Sequence, residues 1–413
     1  MRPRHGRGGR DASPGVSTDP MPSVRWDEFA VLVGSTVWES THLADQEIAL
    51  ALSHHLPVLY VDPPVSRLTA RRVAAVAETL EGPRLRFETP TLARSTPVVL
   101  PGKSRPLMHQ VTGALLRRHV RETVAALGGH VRVVITLGPM HRVLGVCREP
   151  LSVHWVKDDY RSGAGLLGQP ERRVGRREAA ALDAADLVVA SSADIADRLR
   201  ARGLDPLLIP NGVNPGHYAA VPNTPPAEDV RLEGPVAGFI GTLSARIDLG
   251  LLEAVAERGT ALLLVGARQH TFRSERFDRL VARENVQWVG PRTYAELPAY
   301  LAAMDVGLLP YAETDFNRAS FPLKILEYLA AGLAVVAVDL PAVRWLGTDL
   351  VRIVASSDDF AAAAVEGARE KGPEVVDRRQ AFARGHSWRE RIAEFVRATG
   401  ILDGDRSAGI PGS

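Results

Sequence analysis

Two charged residues, Lys324 and Glu327, interrupt an otherwise apolar stretch, FPLKILEYLAAGLAVVAV (321–338). A strand is predicted to end in DVGLLP (305–310), and a helix to begin near Pro322, because proline suits the first helical turn. The free amides and positive dipole end of such a helix favour a phosphate, and Lys324 adds a point charge there. Glu327, one turn further on, can accept hydrogen bonds from a vicinal diol. The pattern therefore predicts a nucleotide site, with an ordinary surface helix as the alternative.

Short apolar runs alternate with helix-like segments from Trp26 onward, which is typical of a parallel α/β sheet. A proline-rich segment, NPGHYAAVPNTPPAEDVRLEGP (214–235), interrupts this alternation. The pattern therefore predicts two α/β domains of similar size joined by one linker. The predicted divisions are a disordered tail over 1–25, a first domain over 26–215, a linker over 216–234, a second domain over 235–386 and a second disordered tail over 401–413.

The composition excludes several classes of function. Lys and Arg total 50 against 48 Asp and Glu, and no region is basic enough to predict a nucleic-acid partner. The single cysteine, Cys147, excludes a disulfide within the chain and a four-cysteine zinc site. The D-x-D sequence at 403–405 lies in the predicted tail, so we predict no metal site. No segment reaches the roughly 20 apolar residues that span a bilayer, and we expect a soluble, cytoplasmic protein.

Three segments of the second half carry a resemblance to a known family. They are GTLSARIDLGLL (241–252), NVQWVGPRTYAELPAYLAAMDVGLLPY (285–311) and FPLKILEYLAAGLAVVAVDLP (321–341). They resemble the donor half of GT-B glycosyltransferases, closest to the retaining family 4 or group 1 enzymes with a P-L-K-x-x-E-Y-L-A-A-G motif. In the first half, HLPVLYVDPP (55–64), KDDYRSGAG (157–165), AADLVVASSADIADRL (184–199) and IPNGVNPGHY (209–218) are more loosely similar. The resemblance implies a GT-B fold, in which two Rossmann-like, doubly wound parallel-sheet domains face each other across a cleft.

The resemblance implies a nucleotide-sugar donor site in the second domain. Glu327 matches the second glutamate of the family's E-x7-E motif, which holds the ribose, whereas Ala319 stands where the first glutamate is expected. The backbone over 320–323 matches the diphosphate cradle, and Arg246 supplies a cation from the loop after the first strand of that domain. The implied donor-binding residues are Gly241, Thr242, Arg246, Ser320, Phe321, Pro322, Leu323, Lys324 and Glu327. The segment SWRERIAEFVRATG (387–400) matches the family's cross-over helix, which packs on the first domain.

Ligands of open α/β sheets bind beyond the carboxyl ends of the strands, and polar residues follow several strands of the first domain. Asp158 and Asp159 come after LSVHWV, and His141 comes after VRVVIT. We expect Asp159 to act in catalysis, with a helix cap as its alternative role. Asp158, His141 and Gly34 are expected on the acceptor or sugar side, where a glycine would let a substrate approach the backbone.

Together with the resemblance, these residues predict a glycosyltransferase that moves a sugar from a nucleotide-diphosphate sugar to an acceptor hydroxyl, with retention and without a metal or cofactor. Arg246 and Lys324 are the predicted catalytic cations, because charge develops on the leaving diphosphate. The expected acceptor is a glycan, a lipid-linked molecule or a small molecule. The basic first half favours weak peripheral contact with the inner face of the membrane. Two alternatives stay open: a sugar-nucleotide 2-epimerase, and a non-catalytic GT-B-like protein that binds a nucleotide sugar.

Overall fold

Two sheets organise the part of the chain that the computed structural model describes, residues 25–102, 106–139, 142–166, 168–269, 272 and 274–403. The strands of the first sheet are β1 Glu28–Val33, β2 Val58–Val61, β3 Leu85–Thr89, β4 Leu92–Ser95, β5 His130–Thr136, β6 Leu151–Val156, β7 Leu187–Ala190 and β8 Leu207–Leu208. Their order across the sheet is β3-β4-β2-β1-β5-β6-β7-β8, and only β3 and β4 pair antiparallel within the described residues. The carboxyl ends of the parallel strands therefore meet at one edge.

Helices cover both faces of this sheet, which is why β1, β2 and β6 are buried along nearly their whole length. They are α1 Ala44–Leu52, α2 Arg67–Ala70, α3 Ala74–Glu81, α4 Pro106–Leu127, α5 Glu171–Leu182 and α6 Ala193–Arg200. The strands β3 and β4 have no counterpart in the sequence prediction. Their segments, LRFET and LARS, lack an apolar run, and Arg94 is buried in β4 only because Glu39 and Glu88 form ion pairs with it.

The second sheet is parallel throughout its described strands. The strands are β9 Val236–Ile240, β10 Ala261–Val265, β11 Val286–Gly290, β12 Val306–Leu309, β13 Ala334–Val338 and β14 Val351–Val354, in the order β11-β10-β9-β12-β13-β14. A short linker helix, α7 Pro215–Tyr218, precedes this sheet. Its other helices are α8 Leu249–Glu257, α9 Glu275–Val281, α10 Leu297–Ala302, α11 Asp315–Ala319, α12 Leu323–Ala330, α13 Pro341–Trp345, α14 Ser357–Gly367 and α15 Pro373–Gly385. The predicted GT-B architecture of two parallel-sheet α/β domains is confirmed.

The last helix, α16 Trp388–Thr399, returns to the first domain. Its Trp388 and Phe395 are buried in the same apolar cluster as Ile48 of α1, and the Phe395 ring lies 5.4 Å from that of Trp155 in β6. Ile401, which the sequence analysis placed in a tail, is buried in this cluster as well, and Arg132 donates to its carbonyl at 3.2 Å. No helix of the described residues is long and apolar enough to cross a bilayer.

Candidate functional site

The start of α12 presents unpaired amides and two charged side chains. Pro322 is the residue before the first turn, and the amides of Leu323 and Lys324 make no hydrogen bond within the described residues. The Lys324 Nζ lies 2.7 Å from the Glu327 Oε2, and both side chains are about one-fifth exposed, at 23% and 17%. A pair of this kind on a helix contributes only about 0.2–0.5 kcal/mol. A phosphate and a diol can therefore replace it at little cost.

Arg246 is held in place by neutral groups. Its Nε donates to the Asn317 Oδ1 at 2.8 Å, and its guanidinium lies 4.9 Å and 4.7 Å from the ring centres of Tyr311 and Phe316. Asn317 is fully buried, and its amide donates in turn to the backbone carbonyls of Arg246 and Ala312. Arg246 has no ion pair within 4 Å among the described residues. Its charge is therefore oriented but not neutralised, as an anion-binding group requires.

Asp158 brings a carboxylate from the first domain to this point. It follows β6, and burial raises the pKa of Asp158 above its ordinary value. Lys157 of its own domain, and then Arg246 and Ser320 of the second domain, lie close enough to lower this pKa in part. The carboxyl edges of the two sheets therefore meet here, with a titratable group of one domain facing a cation of the other.

Asp159 is engaged elsewhere. It forms an ion pair with Arg198 of α6, and its carboxylate accepts hydrogen bonds from the Ser162 amide at 3.1 Å and hydroxyl at 2.5 Å. Although burial raises the pKa of Asp159, the Arg198 and Ser162 hydrogen bonds hold it below the ordinary value. The Asp159 carboxylate is therefore engaged within its own domain, whereas Asp158 lies close to Arg246 and Ser320 of the second domain.

The loop after β1 is fixed by a buried ion pair. Lys157 pairs with Asp45 and donates to the Ser35 hydroxyl at 3.1 Å, and the Asp45 carboxylate also accepts the Ser35 amide at 2.6 Å. A Cβ on the neighbouring Gly34 would lie 2.1 Å from the Tyr60 hydroxyl, so close packing requires glycine at this position. His141, the remaining predicted residue of the first domain, lies outside the described residues.

The other predicted donor residues surround the same point. Gly241 and Thr242 follow β9, and Thr242 is exposed. Ser320 and Phe321 are buried between α11 and α12, where the Ser320 hydroxyl donates to the Phe316 carbonyl at 2.8 Å. The structure therefore brings the residues around Gly241 and those around Ser320 to adjacent ends of β9 and β12, which are neighbours in the sheet.

Ala319 explains the departure from the E-x7-E motif. It is 1% exposed and belongs to an apolar cluster of the first domain that includes Val156 and Ile195, and its carbonyl accepts the Ser192 hydroxyl at 2.6 Å. A Cβ on Gly163 would lie 2.6 Å from the Phe316 ring, one turn earlier on α11. The position of the first glutamate is therefore a packed contact between domains.

A ring stack missed by the sequence analysis joins both domains and the linker. The Tyr294 ring is stacked between His42 and His217, at centroid distances of 4.0 Å and 3.8 Å. Its hydroxyl donates to Glu47 of α1 at 3.1 Å, and the His217 ring nitrogen lies 2.9 Å from the Tyr294 carbonyl. Burial raises the pKa of Tyr294, and Glu47 and Glu327 lie close enough to raise it further. No motif links these four residues, because they come from three separate segments.

The described residues contain no group of three His, Cys, Asp or Glu side chains placed to hold a metal ion.

Comparisons with known proteins agree with this architecture. Residues 234–369 match the family model of glycosyl transferases group 1. A protein of Bacillus subtilis (strain 168) assigned to teichuronic acid biosynthesis as the glycosyltransferase TuaH is 32% identical over 174 residues, which are 41% of this chain and 44% of that protein. The matched stretch therefore spans less than half of the relative.

Solved structures of similar fold cover nearly the whole chain. The sucrose-phosphate synthase of Thermosynechococcus elongatus has a TM-score of 0.67 at 17% identity, over 91% of this chain and 99% of the other. HepE of Anabaena, in complex with UDP and glucose, has a TM-score of 0.61 at 17% identity, over 90% and 100%.

Two parallel-sheet domains with facing carboxyl edges, joined by a returning C-terminal helix, define a protein of GT-B fold. Within that class, the resemblance to GT-B glycosyltransferases is confirmed, since the second domain matches the group 1 family and TuaH is a relative of part of the chain. Membership of the retaining branch with the P-L-K motif stays a prediction.

Proposed function

We propose that this protein transfers a sugar from a nucleotide-diphosphate sugar to an acceptor hydroxyl. The observation that carries the proposal is the meeting of three groups at one point between the domains. These are the unpaired amides and Lys324–Glu327 pair at the start of α12, the oriented charge of Arg246, and the carboxyl of Asp158. The group 1 match over 234–369 supports the same reaction class.

The roles follow from the chemistry of each group. Glu327 would accept from the ribose hydroxyls, while the amides of Leu323 and Lys324 bind the diphosphate. Arg246 and Lys324 would stabilise the charge that gathers on the diphosphate as the sugar–phosphate bond breaks. Asp158 would accept a hydrogen bond from the acceptor hydroxyl. We propose retention at the transferred carbon and no metal requirement, because the resemblance implies both and because protein cations are available to the leaving group.

UDP is the nucleotide we propose, since the structurally similar HepE is in complex with UDP and glucose. The relationship to TuaH favours a cell-envelope glycan or its lipid-linked precursor as the acceptor. We accordingly propose that the protein works in the cytoplasm, in weak peripheral contact with the inner face of the membrane through its first domain.

Calorimetric titration with UDP tests the donor site. Glu327→Ala should weaken UDP binding by about tenfold, because hydrogen bonds to a charged group contribute about 1.5–3 kcal/mol. The matched control is Glu366→Ala, which removes an exposed glutamate of α14 paired with Arg352 at 3.0 Å. Equal affinities for UDP in the wild type and Glu327→Ala would contradict the ribose assignment.

Turnover is tested with a panel of UDP-, GDP- and ADP-sugars, by measuring slow donor hydrolysis and transfer to an envelope-glycan acceptor. We expect one donor to be turned over. Tight binding of one nucleotide with no release of sugar from any donor would favour the non-catalytic alternative.

A further inference from the structure

An open groove of about 650 Å³ lies on the first domain and is lined mainly by apolar side chains. One wall is the α2 segment, with Arg67, Leu68 and Arg71, and the other is the chain after β4, including Leu100. α2 follows the carboxyl end of β2, and Leu100 follows that of β4. Because β1, β2, β4 and β6 run in the same direction, the groove lies at the sheet edge that also carries Gly34 and Asp158.

The rim of the groove exposes large apolar side chains. Among the residues that line the groove, Leu68 is 47% exposed and Leu100 is 57% exposed. Leu100 and Leu68 are thus the two most exposed large apolar residues of the described chain, and both line this groove. Exposed apolar side chains that cluster in this way mark a surface that contacts a membrane or another protein.

The charged side chains that line the groove, Arg67 and Arg71, are both basic. Arg67, Arg71 and Arg72 are exposed and form no ion pair within 4 Å in the part of the chain that the structure describes. Arg94 of the same region differs, because Glu39 neutralises it. The groove rim therefore complements an anionic surface.

We propose that this face docks on an anionic phospholipid bilayer, with Leu68 and Leu100 entering the acyl boundary and Arg67, Arg71 and Arg72 at the phosphates. Apolar side chains flanked by snorkelling arginines match the two layers of such a surface. Docking would hold the carboxyl edge of the first sheet, which carries Gly34 and Asp158, next to the bilayer. The inference rests on the proposed function for its purpose, but its evidence comes from residues outside the donor site.

Vesicle co-sedimentation of the full chain tests the proposal. Vesicles of phosphatidylcholine with about 30% phosphatidylglycerol, which supplies a negative surface potential, should bind the wild type, and pure phosphatidylcholine should not. Arg67→Glu with Arg71→Glu should lower the partition coefficient by about tenfold or more, because each basic residue near such a surface contributes about 1 kcal/mol. Leu68→Ser with Leu100→Ser should also lower it.

The control is Arg258→Glu with Arg283→Glu, the same charge change on the second domain, which should leave binding unchanged. Equal binding to both vesicle types, or equal losses in the control, would overturn the proposal. UDP titration of each variant separates the two proposals. A variant that loses vesicle binding but still binds UDP shows that the docking surface is distinct from the donor site. If the protein binds vesicles but does not bind UDP, only the proposed donor site is contradicted. Vesicle binding that survives both groove variants assigns the contact to another face and overturns the inference.

Discussion

At the scale of single residues, Arg246 and Asp158 differ in how they are held. Neutral partners, the Asn317 amide and two aromatic rings, orient the Arg246 charge without cancelling it. Asp158 lies where the two domains meet, and burial raises its pKa while Lys157 and Arg246 act in the opposite direction. A carboxyl whose pKa is raised at such a point is a candidate general base. The two aspartates that follow β6 therefore have separable roles.

Exchange of each aspartate for asparagine separates these roles. Asp158→Asn should lower kcat by about 10²-fold, because general-base contributions are of this size or larger. Asp159→Asn should instead lower the free energy of unfolding by about 1–3 kcal/mol, since Arg198 loses its partner. Initial rates and denaturant unfolding of both variants make the comparison. The reverse pattern would return the catalytic role to Asp159.

The pH profile tests the same assignment. The ionised form of Asp158 is the one that accepts a proton, so kcat should fall as pH falls through its raised pKa, above the ordinary value for Asp of about 3.9. Asp159, whose pKa is lowered, titrates below this range. Asp158→Asn should remove the acid limb, and an unchanged limb in that variant would contradict the assignment.

At the scale of elements, α11 Asp315–Ala319 determines how the domains meet. It places Asn317 against Arg246, and it places Phe316 and Ala319 against the first domain. This helix of five residues therefore both positions the Arg246 cation and forms a contact between the two domains. A glutamate at position 319 would bury its carboxylate among these apolar groups, so this contact between the domains favours alanine there.

Restoring the first glutamate of the motif should therefore destabilise the protein. Ala319→Glu should lower the free energy of unfolding by more than about 2 kcal/mol, from overpacking and from burial of a polar group. The matched change Ala125→Glu places the same residue at an exposed position of α4 and should have a much smaller effect. Thermal unfolding midpoints compare the two. A stable Ala319→Glu protein with raised transfer activity would show that the position can serve the sugar.

The sequence predicted most of this architecture for physical reasons. Strands such as β9 and β10 are buried on both faces and read as continuous apolar runs, and Lys324 and Glu327 stand out within such a run. The strand β4 was missed because its arginine is buried through ion pairs with distant residues. α11 was missed as well, because no helix was predicted between the strand that ends at Pro310 and the helix that begins near Pro322. Contacts between distant segments leave no local pattern.

At the scale of the whole molecule, Tyr294 connects three parts that must separate from one another if the cleft opens. His42 and Glu47 belong to the first domain, His217 to the linker helix, and Tyr294 to the second domain. Ring contacts of this kind contribute about 0.5–1.5 kcal/mol each beyond their buried area. Two of them, with one hydrogen bond to Glu47, approach the few kcal/mol that separate domain conformations. The stack is therefore strong enough to bias the cleft toward the arrangement seen here.

Removal of the ring should release this bias. Tyr294→Ala should raise the radius of gyration measured by small-angle X-ray scattering, and UDP should partly reverse the increase if donor binding closes the cleft. Tyr294→Phe keeps both stacks and removes only the hydrogen bond to Glu47, so its radius should lie near that of the wild type. Because Glu327 lies near the same ring, UDP titration of both variants distinguishes a change in the domain equilibrium from direct damage to the donor site. An unchanged radius in Tyr294→Ala, with UDP affinity lost, would mean that the ring supports the donor site alone and that the contact between α11 and the first domain holds the cleft.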